Sequence, residues 1–106
     1  MSVIMTLRAR ADAAKLEAFA ADDPSRIQAM VAKARQHGLI AHRFYASDDG
    51  EIMVLDEWPD AESFQAFFAE TQDEIGPMMA GADMQGEPAI SFWRELDTHD
   101  QFGWGA

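Results

Sequence analysis

Two strand-like runs, Leu39 to Ala46 and Glu51 to Trp58, flank the segment Ser47-Asp48-Asp49-Gly50. An Asp-Gly pair tolerates positive φ at both central positions of a hairpin turn. A two-residue turn at Asp49-Gly50 sets Arg43 opposite Asp56, Tyr45 opposite Val54 and Ala41 opposite Trp58. A three-residue turn shifts the register by one and dissolves the Arg43–Asp56 pair. In the first register three chemically capable groups share one sheet. Arg43 is suited to anchor a developing enolate or phenolate, Tyr45 to donate a hydrogen bond, and Asp56 to act as an orienter or base. The bland reading of the same pair is a cross-strand salt bridge that satisfies two partly buried charges.

Other chemistries find little support. His37, His42 and His99 fall on a helix end, a strand and a tail, without the spacing that lets ligands converge, so no metal site is expected. His42, on the strand face opposite Arg43, is expected at an interface beside Glu57. With no Cys there is no thiol nucleophile, no disulfide and no thiolate metal site. The Ser residues lack a Gly-x-Ser-x-Gly context and no phosphate-cradling Gly loop is present, so no cofactor is called for. Eight Lys plus Arg against 19 Asp plus Glu give a formal charge of -11, which disfavours nucleic acid and anionic membrane surfaces as partners. No apolar run approaches the ~20 residues needed to cross a bilayer, and the N-terminus lacks a secretory signal. Cytoplasmic residence is the expectation.

The elements that must hold these residues are legible in the period of the apolar positions. Val3 to Arg10 alternates as a first strand, and from Ala13 the period becomes helical, with Leu16, Phe19 and Ala20 a turn apart. Asp22-Asp23-Pro24 interrupts it; Asp23 caps and Pro24 opens a second segment with Ile27, Met30, Val31 and Ala34 inward, closed at His37-Gly38. After the hairpin, Pro59-Asp60 caps a helix whose stripe is Phe64, Phe67, Phe68, Thr71 and Ile75, with a break expected at Gly76-Pro77. A loop from Gly81 to Pro88 leads to a last strand, Ala89 to Leu96, and residues 97–106 form a tail whose Phe102 and Trp104 are expected to dock on protein.

The order is βαββαβ: one α+β, ferredoxin-like domain over 1–106, a four-stranded antiparallel sheet with helices on one face. Whichever parity faces the helices, the opposite set keeps large apolar residues, as with Ile4 against Val3, Met5 and Leu7. A second copy of the sheet is the simplest cover, so a homodimer is expected.

Over roughly residues 3–96 the chain resembles the dimeric α/β barrel superfamily, in its antibiotic-biosynthesis-monooxygenase-like branch. The most specific piece is Glu57-Trp58-Pro59-Asp60-Ala61-Glu62-Ser63-Phe64-Gln65-Ala66-Phe67, similar to the family's strand-ending Glu-Trp followed by an acidic helix start and an aromatic-rich helix. The resemblance implies two chains packed sheet to sheet, each with a ligand cavity between its sheet and its own helices. Trp58 matches the family Trp that lines this cavity; strand parity then turns Asp56 and Val54 inward, and the two-residue register adds Arg43 and Tyr45. Met5 is the matching first-strand position, and Phe64, Phe67 and Phe68 close the cavity from above. The haem-degrading branch carries a His on the following helix and an Asn on the first strand; here Phe67 stands at the helix position and the chain has no Asn. The implied function is a small cofactor-independent enzyme, monooxygenase-like or isomerase-like, acting on an apolar, aromatic small molecule. The alternative is a non-catalytic barrel that binds a hydrophobic small molecule or a protein partner. A cavity of about 300 Å3 or more separates the first from a filled core.

Overall fold

The chain, described over residues 1–104 by a computed structural model, runs β1 (Val3–Arg10), α1 (Ala13–Asp22), α2 (Pro24–Gln36), β2 (Ala41–Ala46), β3 (Glu51–Trp58), α3 (Ala61–Glu70), α4 (Gln72–Gly81) and β4 (Gln85–Trp93). The strands form one antiparallel sheet in the order β2-β3-β1-β4. This is the expected ferredoxin-like order, with two helical layers on one face. Residues 105 and 106 of the tail lie outside the described residues.

Strand alternation decides which side chains meet the helices. Met5 and Leu7 of β1 stand opposite Asp56 and Val54 of β3, and all point to the helical side. There Met5, Leu7 and Trp58 pack with Ala34 of α2 and Phe64 and Phe67 of α3. Each large apolar side chain buried this way contributes about 1.5–3 kcal/mol. A second cluster of Leu16, Ile52 and Ala82 joins α1 and the end of α4 to the other end of the sheet.

Each of the first three helices starts at an aspartate that accepts a backbone N–H: Asp12 from Lys15, Asp23 from Ser25 and Asp60 from Ser63. The Ser63 hydroxyl, then its backbone N–H, hold the Asp60 carboxyl below the ordinary value of 3.8, and Ser25 does the same for Asp23. A carboxyl depressed on folding stabilises the fold above its unfolded value and loses that contribution as pH falls through the folded one. Melting curves recorded between pH 7 and pH 3 are therefore expected to converge in one specific way. The Asp23→Asn, Asp60→Asn double variant, whose amides still cap, loses less stability than the parent in the acid range. Equal losses in both proteins would remove the caps from the account of acid sensitivity.

Several boundaries differ from the sequence expectation, among them the start of β2 at Ala41 rather than Leu39. The helix break falls at Thr71, not at Gly76-Pro77, which lie inside α4. The buried Thr71 hydroxyl donates to the Phe67 carbonyl at 2.8 Å, and its own carbonyl accepts from Glu74 and Ile75, so one residue closes α3 and opens α4. Pro77 sits on the exposed side of α4, one turn after the exposed Asp73 whose carbonyl it leaves without an N–H. β4 starts at Gln85 inside the expected loop and ends at Trp93 rather than Leu96. Pro88 is tolerated because β4 is an edge strand, and Gly86, at φ +72°, lies where the β1–β4 register shifts between Arg8 and Arg10.

The opposite sheet face carries Ile4, Thr6, Met53 and Leu55, each half-buried, together with Tyr45 and Trp93, 43% and 56% exposed. Trp93 lies across Thr6 and donates its indole N–H to the Thr6 hydroxyl at 2.8 Å. Phe102 and Trp104 do not dock within the chain; they are 98% and 96% exposed. Among the described residues no helix is long and apolar enough to cross a membrane.

Candidate functional site

The hairpin between β2 and β3 sets the chemistry. Its loop has three residues, Asp48, Asp49 and Gly50, closed by the Ser47 N–H donating to the Glu51 carbonyl at 2.9 Å. Within the loop only Gly50 has positive φ, +86°, so the two-residue turn with two left-handed positions does not form. The end of β1 ties this loop down: the Arg10 guanidinium donates to the Asp49 carbonyl at 2.9 Å, and the Ala11 N–H to the Gly50 carbonyl at 3.1 Å.

The register is therefore one residue off the expected one. Asp56 faces His42, Leu55 faces Arg43 and Met53 faces Tyr45. Arg43 and Tyr45 consequently lie on the exposed outer face, away from Asp56, and the expected Arg43–Tyr45–Asp56 constellation is not assembled. His42, expected on that outer face beside Glu57, instead turns under the helices. A Gly preceded by two Asp was the available signal, because a type I turn followed by one left-handed residue needs Gly at the third loop position only.

His42 and Asp56 form a tight pair. The ring Nδ1 is 2.7 Å from Asp56 Oδ1, and the Trp58 indole N–H donates to Asp56 Oδ2 at 3.1 Å. Asp56 is 4% exposed and Trp58 is fully buried, so this carboxylate is withdrawn from water and held by two donors. An ionised carboxylate only accepts, so the pairing puts the proton on Nδ1 and leaves the Nε2 lone pair free to take another. Phe44 packs edge-on against the imidazole, centroids 5.0 Å apart, and fixes the ring plane. A carboxylate hydrogen-bonded behind an imidazole in this way is an arrangement that can serve general acid–base chemistry.

The pair opens onto a cavity between sheet and helices. Met5, Phe64, Phe67 and Phe68 line it, with Met30, Met78, Met79 and Met84 among its other walls. Its volume is about 90 Å3, well short of the expected 300 Å3. Trp58 is not in the wall; it lies behind, against Phe64 and Phe67 at centroid distances of 5.7 and 5.5 Å. A larger groove of about 460 Å3 adjoins it between α1, α2 and β2. Leu16, Ile27, Val31, His42 and Phe44 border both spaces, so His42 stands at their junction.

Solved structures share this architecture. SnoaB from Streptomyces nogalater, a cofactor-independent oxygenase, superposes with a TM-score of 0.60 at 15% identity, over 94% of this chain and 98% of that one. The fold is that of the antibiotic biosynthesis monooxygenase-like proteins. Another structure with this monooxygenase-like fold, a conserved protein from Methanosarcina mazei Go1, gives a TM-score of 0.64 at 16% identity over 91% and 94% of the two chains. An antibiotic biosynthesis monooxygenase itself gives 0.58 at 13% identity over 91% and 99%. No family model matches the sequence, and no curated protein matches it. At these identities the likeness establishes the monooxygenase-like fold, while the Asp56–His42 pair is a property of this chain's own register.

Proposed function

We propose that the chain is a small cofactor-independent enzyme, monooxygenase-like or isomerase-like, that deprotonates an apolar aromatic hydroxy compound. The observation that carries this reading is the His42–Asp56 pair at the edge of an otherwise apolar space. Nε2 of His42 takes the phenolic proton, and Asp56 stabilises the imidazolium that results. In the oxygenase version the electron-rich phenolate gives electrons to O2: a ring CH2 becomes C=O, one oxygen atom stays on carbon, and the other leaves as water with the two hydrogens. In the isomerase version the proton taken from the hydroxyl oxygen is delivered by His42 to a ring carbon, which converts the hydroxy form to its keto isomer. The apolar walls exclude water, which strengthens the interaction of Asp56 with the charged ring. The methionine side chains give those walls room to adapt to a ligand larger than the closed cavity.

Two copies joined through the outer sheet face, with Arg43, Tyr45 and Trp93 in the contact, complete the proposed barrel. Residence in the cytoplasm fits a chain with no Cys. The 90 Å3 volume favours a second reading, a non-catalytic binder of a small hydrophobic molecule or of a protein. The two separate on a hydroxylated anthrone: oxygen uptake and quinone absorbance are measured for the parent, His42→Ala and Asp56→Asn. Both substitutions are expected to lower kcat by about 100-fold or more with the circular dichroism spectrum unchanged. Turnover that survives either one sinks the assigned roles, and ligand binding with no turnover in the parent selects the second reading.

A further inference from the structure

The groove between α1, α2 and β2 has walls of a ligand site. Its volume of about 460 Å3 falls inside the usual range of roughly 300–1,000 Å3 for small-molecule pockets. Ala20 and Ala32 leave space for a flat ring, and Leu16, Ile27, Val31 and Phe44 supply apolar contact. The polar groups are few: His42 at the inner end, Arg35 and Gln28 on α2 and Glu17 on α1.

Ile27, Val31 and Arg35 follow one another at four-residue intervals, so they share one face of α2 and Arg35 lies a turn beyond Val31. Among the described residues Arg8, Lys15, Arg26 and Lys33 each have a carboxylate within 4.0 Å and Arg10, Arg35, Arg43 and Arg94 have none; of those four Arg35 is the one that borders the groove. In a chain of net charge -11, a guanidinium with no carboxylate in ion-pair distance at the edge of an apolar groove is suited to an anion. Glu17 in the same groove repels a second negative charge and accepts from a hydroxyl.

We infer that this groove is the outer half of the substrate site and takes a monoanionic hydroxylated aromatic acid, its carboxylate on Arg35 and its acidic hydroxyl at His42. The smaller inner cavity then receives an apolar substituent. The inference rests on the reading of His42 as a base, and adds the substrate class.

Three probes test it, each titrated into the full chain by calorimetry and by amide NMR: 6-hydroxy-2-naphthoate, 2-naphthol and naphthalene-2,6-dicarboxylate. The hydroxynaphthoate is expected to bind about fivefold more tightly than the naphthol, the scale of one charge-assisted contact at a partly wet edge. Arg35→Gln removes that preference, 1 M salt weakens it, and Glu17→Gln improves binding of the dicarboxylate. Shifted amides lie in α1, α2 and β2. Equal affinities in the parent, a preference that survives Arg35→Gln, shifts confined to the outer sheet face, or no binding of any probe overturns the inference. Binding that depends on Arg35 and persists in His42→Ala, with no turnover in the parent, would fail the base reading alone. Turnover that ignores Arg35 would fail the substrate class alone.

Discussion

Replacing Trp58 with alanine is expected to cost about 4 kcal/mol, within the span of about 3–5 kcal/mol seen when a buried aromatic is cut back. Trp58 has no exposed surface, and its ring meets Phe64 and Phe67, so β3 and α3 lose their shared contact. The helices above can settle only partly into the space, because they are also pinned by the Asp60 cap and by the Thr71 hydroxyl bond to Phe67. The indole N–H disappears as well, which leaves Asp56 Oδ2 short of its donor. Set against a typical total of about 5–15 kcal/mol, that loss brings the variant close to unfolding at room temperature. Thermal melts followed by circular dichroism should show the midpoint lowered by roughly 15 °C or more. Parent and variant are compared at equal chain concentration, since association shifts the midpoint. A fall under about 5 °C would mean that Trp58 does not hold the two layers together.

Asp56→Leu is the second large effect, and its partner substitution makes it informative. The leucine strands a fully buried indole N–H without an acceptor, and the expected cost is about 3 kcal/mol. The ring of His42 is less exposed to the loss, because its side chain retains 22% exposure and can turn to water. Combining Asp56→Leu with Trp58→Phe removes the stranded donor together with its acceptor. The double variant should therefore be more stable than the sum of the two single losses implies, by about 1 kcal/mol or more. Additivity within about 0.5 kcal/mol would show that the carboxylate and the indole do not act as a unit.

Much of the scaffold could be read in advance, for physical reasons that are local. Asp23-Pro24 and Pro59-Asp60 announce helix starts because capping is decided within three residues. Asp56 and Trp58 share a face by strand alternation, and Phe64 and Phe67 by helical spacing. The partner of Asp56 was not legible, because Asp49-Gly50 reads equally as a whole two-residue turn or as the end of a three-residue one. What decides between them comes from elsewhere in the chain, from Arg10 and Ala11 gripping the loop and from Phe44 needing the helix-facing side. Gly76-Pro77 failed as a breaker for a similar reason. The proline falls on the exposed side of α4, while the buried Thr71 supplies the true joint.

The three-residue loop has a consequence for how such a protein changes. The same residues closed as a two-residue turn at Asp49-Gly50, with Asp48 opposite Glu51, would flip β2, presenting Arg43 and Tyr45 to Asp56 and sending His42 outward. A change of turn type, with no residue gained or lost, thus lies between a His42–Asp56 pairing and an Arg43–Asp56 one, with the same carboxylate. Phe44, half-buried against the cluster of Leu16, Ile52 and Ala82, resists that flip, since it would have to leave its apolar neighbours. The aromatic side chain that packs on the His42 ring is therefore also what holds β2 in the register that pairs His42 with Asp56.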